Sequence, residues 1–408
     1  MCTMFKSSAM LVVGAALSLS SASAQILHLG STIRPTGARV EAGFGHAVAF
    51  NGVLAAAGGV AEHRVLLAPR LRVGFGTPLE LTDPFGRQKG LGHALAMDAT
   101  TLVAGAPYRD GCGVVMSPLD SGTVLVFDVS ARSPQFVQQL WHGGIDRLDQ
   151  FGCSVDLSGD SIIVGAKYDI SLGHSSGTAY VFRRGPGGWA LESQLRADDG
   201  RMGDLAGWSV AISGDIAVVG APFDSSSQMG AGGAQVFQRT GTQWRFVTTL
   251  EAPQPVANGA FGVFVTTDGT RIGVGETGRH RFYSFIRNAS GEWSHEQTLS
   301  GAGQFGARAE FGSGGTLLVG SPLVNRVERF QRTVLGWSRA QVIEPQGLGA
   351  SAQFGSWISM WNDEAIVGAR FAPDGGMAMH LTPGPGSTSS TTLGAGATLG
   401  GSAVVRAK

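Results

Sequence analysis

The sequence predicts an all-β protein, a seven-bladed β-propeller of four-stranded antiparallel blades. Three observations carry this prediction. Glycine accounts for 63 of 408 residues, about twice its usual share, without the period of collagen. A Phe-Gly mark, or a close variant of it, recurs seven times along the chain. Between the marks apolar residues alternate with a period of two, as they do in strands. Repeats near 50 residues without helical periodicity are typical of propeller blades.

The composition excludes global disorder and argues against nucleic-acid binding. Hydrophobic residues make up 43% of the chain and charged residues only 15%, so a large core can be buried. Thirty Lys and Arg balance thirty Asp and Glu, for a formal net charge of zero. A nucleic-acid binder needs an excess of basic residues to offset phosphate charge. No nucleic-acid partner is therefore predicted.

Residues 1–24 have the pattern of a signal peptide. Lys6 supplies the positive charge, Ala9 to Leu19 form an apolar run too short to span a bilayer, and Ala22-Ser23-Ala24 fits a cleavage site. We therefore expect a mature chain that begins at Gln25 and has no membrane span. Its expected location is secreted, periplasmic or at the cell surface.

The marker glycines position the blades: Gly45, Gly92, Gly152, Gly207, Gly262, Gly306 and Gly355. Their spacings are 47, 60, 55, 55, 44 and 49 residues. Each copy predicts a first strand, a tight turn such as Ser213-Gly214-Asp215, and a second strand that runs into Gly-Ala-Pro. A third strand follows, and then a fourth that ends in Gln and Leu, as at Gln139-Leu140. Four antiparallel strands make one blade.

The seventh copy stops after its third strand, near Leu381. Residues 25–30 resemble the fourth-strand ends, so they are predicted to complete the last blade and close the ring without open edges. The propeller then covers residues 25–382, about 51 residues per blade. Residues 383–408 are rich in Pro, Gly, Ser and Thr, and they are predicted to form a disordered tail.

This pattern resembles the FG-GAP repeat family, the propeller type of integrin α subunits and of many secreted bacterial proteins. The best copy runs from Leu195 through Ala206-Gly207 to Pro222-Phe223-Asp224 and looks like the bacterial type, with Ala206 in place of the usual Phe. The resemblance implies the fold, and it leaves adhesion, binding and catalysis open.

Integrin-type repeats often carry a calcium loop between the first two strands. The corresponding turns here hold two to four residues and lack three spaced carboxylates, whereas calcium takes six or more oxygen ligands. No cofactor or metal site is therefore predicted. Asp198, Asp199 and Asp204 are interpreted as a solvated loop rather than as a calcium site.

The loops after the second strands are expected to form the ligand face. Residues that differ between blades are the predicted ligand contacts: Tyr108, Arg109, Lys167, Tyr168, Phe223, Arg370 and Phe371. An Asp recurs in four of these loops and is interpreted as bracing each loop. Aromatic rings stack on sugars, and Arg bonds hydroxyls or carboxylates. The predicted partner is a glycan or an extracellular protein, and the chain is expected to be a monomer.

The cysteines and two histidines allow two further interpretations. Cys112 and Cys153 are predicted on one face of neighbouring blades, where export would permit a disulfide; two unpaired thiols are the alternative. His46, His93 and Cys153 hold one repeat position. Packed or solvated side chains are favoured there over a zinc site, because only three ligands are present and blade radii spread equivalent positions apart.

Two function classes follow. The leading one is a secreted, non-catalytic binding or adhesion propeller. The alternative is a polysaccharide-active hydrolase or lyase with acid and base carboxylates on different blades. No catalytic residue is predicted, because no isolated carboxylate pair stands out from the repeated Asp set.

Overall fold

The computed structural model describes residues 27–34, 43–86, 89–108, 120–131, 133–142, 148–170, 176–197 and 200–383. These residues form 28 strands and three 3₁₀ turns, at Thr277–Arg279, Ser313–Gly315 and Pro322–Val324. The strands pair into seven sheets of four, and neighbouring strands are antiparallel. The predicted seven-bladed propeller is confirmed. No helix in this part of the chain is long and apolar enough to cross a membrane.

Each blade runs from an inner first strand to an outer fourth strand. Blade one contains β2 (Phe44–Phe50), β3 (Leu54–Gly59), β4 (Arg64–Pro69) and β5 (Leu79–Leu81). Blade two contains β6 (Ala94–Met97), β7 (Thr101–Ala106), β8 (Thr123–Asp128) and β9 (Gln135–Leu140). Blade three contains β10 (Ser154–Ser158), β11 (Ser161–Ala166), β12 (Thr178–Gly185) and β13 (Gly188–Leu195). Blade four contains β14 (Ser209–Ser213), β15 (Ile216–Ala221), β16 (Gly233–Thr240) and β17 (Gln243–Leu250).

The remaining blades repeat this order. Blade five contains β18 (Phe261–Thr267), β19 (Arg271–Glu276), β20 (Arg281–Arg287) and β21 (Trp293–Ser300). Blade six contains β22 (Ala309–Gly312), β23 (Thr316–Ser321), β24 (Arg326–Thr333) and β25 (Gly336–Ile343). Blade seven contains β26 (Phe354–Trp361), β27 (Glu364–Ala369), β28 (Met377–Pro383) and, from the start of the chain, β1 (Leu27–Ile33).

Blade four shows why these sequences form blades. Ser213 pairs with Ile216, which leaves Gly214 and Asp215 as a two-residue turn, and Gly214 has a φ of 57°. Such a turn needs residues that accept positive φ. All six residues of β15 are buried, because a neighbouring blade packs on each face of the sheet, as in sheets covered on both sides.

The marker glycines are the points where neighbouring blades touch. Gly207 has a φ of 86°, a conformation that glycine adopts without strain. A Cβ atom on Gly165 would lie 2.1 Å from the carbonyl oxygen of Gly207, so only glycine fits there as well. The same contact recurs around the closed ring, at Gly58–Gly92, Gly105–Gly152, Gly165–Gly207, Gly220–Gly262, Gly275–Gly306, Gly320–Gly355 and Gly368–Gly45. These pairs account for part of the unusual glycine content.

The N-terminal strand closes the ring, as predicted. β1 pairs antiparallel with β28, with Leu29 opposite Leu381. Gln341 in blade six fixes β1 from the other side: its Nε2 donates to the Leu27 carbonyl at 2.8 Å, and its Oε1 accepts from the Leu27 amide at 2.9 Å. Gln138 and Gln297 make equivalent pairs of bonds to the next blade, with the backbones of Trp189 and Trp337.

The predicted signal segment 1–24 and all but the first residue of the predicted tail lie outside the described residues, as do residues 25 and 26 of the predicted closing strand. The closing strand is described from Leu27 and continues to Ile33.

Candidate functional site

The first strands surround a central channel of about 370 Å³. Each first strand begins where the antiparallel second strand ends; Ser154, for example, pairs with Gly165. Lys167 and the loop after it therefore lie at the same end of the channel as the start of β10. This end coincides with the predicted ligand face, and we call it the mouth.

All seven blades contribute a side chain to the mouth. The mouth residues are His46 from blade one, His93 from blade two, Lys167 from blade three, Trp208 from blade four, Phe264 from blade five, Arg308 from blade six, and Trp357 with Arg370 from blade seven. Most of them stand one or two positions after a marker glycine, so the start of the inner strand aims them at the channel.

The side chains of blades one, two and seven form a continuous row of contacts. The rings of His46 and His93 are 4.8 Å apart between centroids, and His93 lies 5.4 Å from the ring of Tyr108. Arg370 Nη1 approaches His46 Nδ1 at 3.4 Å. The sequence-predicted Tyr108 and Arg370 thus reach the mouth.

The other two cations of the mouth rest on aromatic rings. The Arg308 guanidinium lies 4.2 Å from the Trp357 centroid and 5.1 Å from that of Phe264. Lys167 Nζ lies 4.4 Å from the Trp208 centroid, which is a favourable cation–π distance. Within the described residues, none of Lys167, Arg308 and Arg370 forms a salt bridge with a carboxylate.

Burial makes this concentration of positive charge costly. Desolvation, with a contribution from Arg370, lowers the pKa of Arg308 to about 10. Burial and then the neighbouring cations lower the pKa of His93 to about 4. The pKa of His46 is also well below its ordinary value, because of burial first and His93 second. Both imidazoles are therefore neutral at pH 7.

Two carboxyl groups line the channel below the mouth, and we call Asp156 and Glu310 the waist. They extend from blades three and six. Asp156 accepts hydrogen bonds from the amides of Leu157 and Ile212, both at 2.8 Å, yet desolvation raises its pKa to about 6. Desolvation and the charge of Asp156 raise the pKa of Glu310 to about 8. At pH 7 the favoured state is an ionised Asp156 beside a protonated Glu310.

Among the described residues, the three side chains considered for zinc do not form a group with metal-ligand spacing. Cys153 is buried, and its Sγ lies 3.5 Å from the Gly165 carbonyl and 3.4 Å from that of Gly207, whereas His46 and His93 are neighbours at the mouth with ring centroids 4.8 Å apart. Burial raises the pKa of the Cys153 thiol. Cys112 lies outside the described residues, so the predicted disulfide stays a prediction.

The recurring loop Asp residues make local hydrogen bonds. Asp224 Oδ1 accepts from the amide and the hydroxyl of Ser226 at 2.7 and 2.6 Å. Asp169 Oδ2 accepts from the Tyr180 hydroxyl at 2.5 Å. These bonds support the interpretation of the Asp residues as loop braces. In the described part of the chain, the one group of three side chains with metal-ligand spacing contains Asp169, with His142 and Asp149.

Two other predicted contact residues lie at the surface beside the mouth. Phe223 is 44% exposed, and its ring lies 5.9 Å from that of Trp208. Phe371 is 53% exposed beneath the guanidinium of Arg370, at 4.6 Å. The ring centroid of Tyr168 lies 5.4 Å from Lys167 Nζ. Arg109 lies outside the described residues.

Sequence reasoning missed most of the channel lining, although a signal was present. The position two residues after each marker glycine holds Ala or Ser in four blades and a large side chain in the other three, namely Phe264, Arg308 and Trp357. Two residues further on, Asp156 and Glu310 stand where other blades carry Ala, Ser or Thr. Large or charged residues at a repeat position that is otherwise small mark the channel.

The fold and this channel define the protein as a closed seven-bladed β-propeller with a cationic mouth. The model of the FG-GAP repeat family matches two segments of the chain, residues 138–182 and 189–237. This confirms the resemblance seen in the sequence.

Solved structures support the fold alone. The β-propeller domain of Cps50 (Swd1) from Myceliophthora thermophila aligns with a TM-score of 0.57 at 11% identity, over 87% of this chain and 99% of that one. A protein from Lactobacillus plantarum aligns with a TM-score of 0.53 at 14% identity, over 73% and 84%. No curated protein matches the chain in sequence.

Proposed function

We propose that the protein is an extracellular binding propeller that recognises a glycan at its mouth. One observation carries this proposal: aromatic and cationic side chains from all seven blades converge on one end of the channel. Trp208 and Trp357 flank the opening, and Tyr108, Tyr168 and Phe223 lie in the loops around it. Aromatic faces stack on sugar rings, and glycan recognition needs such faces beside hydrogen-bonding groups.

The opposite end of the channel offers less to a ligand. Its hairpins between first and second strands are tight, with two-residue turns at Gly159-Asp160 and Gly214-Asp215. Loops of differing length and composition surround the mouth instead, and variable loops on a rigid scaffold are the usual place for recognition.

A glycan-array screen with the full chain, followed by calorimetric titration of the best ligand, tests the proposal. Replacing Tyr108, Tyr168 and Phe223 together with Ala is expected to abolish binding while the melting temperature stays nearly unchanged. Phe136→Ala is the matched control, since Phe136 is an exposed aromatic residue on an outer strand, 38% exposed. Binding that survives the triple change, or that is lost equally in the control, contradicts the proposal.

The waist favours a second candidate, a polysaccharide-active enzyme. Asp156 and Glu310 come from different blades and differ in pKa, at about 6 and about 8. Such a difference separates a base from an acid. In hydrolysis Glu310 would protonate the leaving oxygen as its bond to carbon breaks, while Asp156 takes a proton from the attacking water. An assay for new reducing ends, with Glu310→Gln as the inactive variant, separates this candidate from binding alone.

A further inference from the structure

We propose that the mouth is an oxyanion site, which binds the carboxylate or sulfate group of an acidic saccharide between Arg308, Arg370 and Lys167. This inference rests on the proposed glycan-binding function and specifies its ligand class. It depends on two independent observations, the uncompensated charge of the mouth and the polar atoms in it that lack a hydrogen-bond partner.

Within the described residues, the three cations of the mouth form no salt bridge with a carboxylate. Arg370 donates to the amide oxygen of Gln353 at 2.6 Å, and Arg308 Nη1 donates to the carbonyl of Ala307 at 2.9 Å. Both acceptors are neutral. Lys167 Nζ lies over the rings of Trp208 and Tyr168, which carry no charge. Buried cations are ordinarily paired, since the desolvation cost is otherwise uncompensated. A bound anion would compensate all three at once.

Several polar atoms of the mouth are buried without a partner. Arg308 Nε and His93 Nδ1 have no hydrogen-bond partner in the described part of the chain, and neither does the hydroxyl of Ser356. Ser356 holds the same repeat position as His46 and His93. Buried polar groups are almost always hydrogen-bonded, so orphaned ones require an explanation. An oxyanion bound at this opening would give these three atoms, from blades two, six and seven, a hydrogen-bond partner.

The aromatic side chains beside the cations favour an acidic sugar over an inorganic anion as the ligand. The Arg308 guanidinium is held against the Trp357 and Phe264 rings, which keeps its donors in place without an ion pair. Arg presents a fork of donors that fits carboxylate and tetrahedral oxyanions alike. Trp208 offers a face beside Lys167 for the sugar ring. Carboxylate and sulfate share this chemistry, so experiment has to distinguish them.

Calorimetric titration of the full chain at low ionic strength tests the inference with three probes: glucuronate, inorganic sulfate and neutral glucose. We expect at least one oxyanion to bind and glucose not to bind at the same concentration. Binding of glucuronate alone indicates a preference for a carboxylate group, and tighter binding of sulfate indicates a preference for a sulfate group. If neither oxyanion binds better than glucose, the inference is wrong.

Arg308→Gln is expected to weaken oxyanion binding at least tenfold, since a charge-assisted hydrogen bond is lost. It should leave the melting temperature unchanged or higher, because it removes a buried unpaired charge. Arg245→Gln is the control, an exposed Arg on outer strand β17. Lys167→Gln repeats the test should Arg308→Gln not fold. Equal binding by the folded variant and the wild type overturns the inference.

The pH dependence gives a readout that a purely structural role would not show. An anion offsets the cations that disfavour protonation of His93, so its pKa should rise on binding. The affinity is then expected to increase as the pH falls from 7 to 5. The charged and titratable groups that face His93 are His46, Tyr108, Lys167, Arg308 and Arg370. Protonation of the waist carboxyl Asp156, whose pKa is about 6, acts in the same direction over this range. An affinity that is constant over this range contradicts the site.

These results also separate the inference from the proposed function. Oxyanion binding without any glycan hit leaves the anion site intact and removes the glycan proposal. Glycan binding that depends neither on the charge of the sugar nor on Arg308 supports the glycan proposal and removes the anion site.

Discussion

The waist gives a prediction about stability that follows from one side chain. Glu310 has a pKa of about 8 in the folded protein, against an ordinary value of 4.5. A carboxyl whose pKa is raised by folding stabilises the fold fully below the unfolded value, and this contribution is lost as the pH rises through the folded value. The wild-type protein should therefore lose stability between about pH 4.5 and 8.

The magnitude follows from the two pKa values. Their difference corresponds to about 5 kcal/mol, at about 1.4 kcal/mol per pKa unit. The carboxyl keeps some exposure to the channel, and solvent screening reduces such contributions. We therefore expect a loss of about 1–2 kcal/mol by pH 9. Glu310→Gln mimics the neutral carboxyl at every pH, so it should abolish this loss.

Urea denaturation of both proteins, followed by tryptophan fluorescence at pH 4.5 and pH 9, measures the effect. The free energy of unfolding of the variant should equal that of the wild type at pH 4.5 and be about 1–2 kcal/mol higher at pH 9. Glu292→Gln is the control, because Glu292 is exposed on the hairpin of blade five. Equal differences between variant and wild type at both pH values would refute the reasoning.

Two further predictions concern the ring itself. Gly165→Ala should destabilise the protein by about 3 kcal/mol, because its Cβ would overlap the neighbouring blade. Gly187 has open space around it, so Gly187→Ala should leave stability unchanged, and thermal unfolding of the two variants tests this difference. Gln341→Ala should lower the free energy of unfolding by about 2 kcal/mol and speed amide exchange in β1, since two hydrogen bonds to the backbone are lost. Gln138→Ala should lower stability by a similar amount without affecting exchange in β1. Faster exchange of β1 in both variants would count against a specific role of Gln341.

The blades were predictable because their determinants are local and repeated. In each copy one glycine has a positive φ, and another lies against the backbone of the neighbouring blade. A Cβ atom is sterically excluded at both positions, so glycine recurs at both in every copy. Gly207 and Gly165 illustrate the pair. The closing strand was also predictable, from the missing fourth strand of blade seven. The clamp that fixes it comes from Gln341, which no pairing rule within one blade indicates.

The channel was predictable only in part. Lys167 and Arg370 were identified because they stand in variable loops. Glu310 stands in β22 and Arg308 directly before it, where an apolar alternation predicts a core strand. Arg308 is 49 residues from Trp357, and Glu310 is 154 residues from Asp156. Their altered pKa values arise from desolvation inside the closed ring, which no local stretch of sequence contains. The pair of Asp156 and Glu310 therefore did not stand out from the recurring Asp residues.

The closure of blade seven also determines how the protein faces its surroundings. β28 begins beside the mouth, where Gly376 bridges Phe44, and it ends at Pro383, which pairs with Leu27 at the start of β1. The chain thus enters and leaves the propeller at one corner on the end remote from the mouth. A surface, partner domain or affinity tag attached through either end would stand behind the disc. The mouth would then face away from the attachment, whichever end served as the tether.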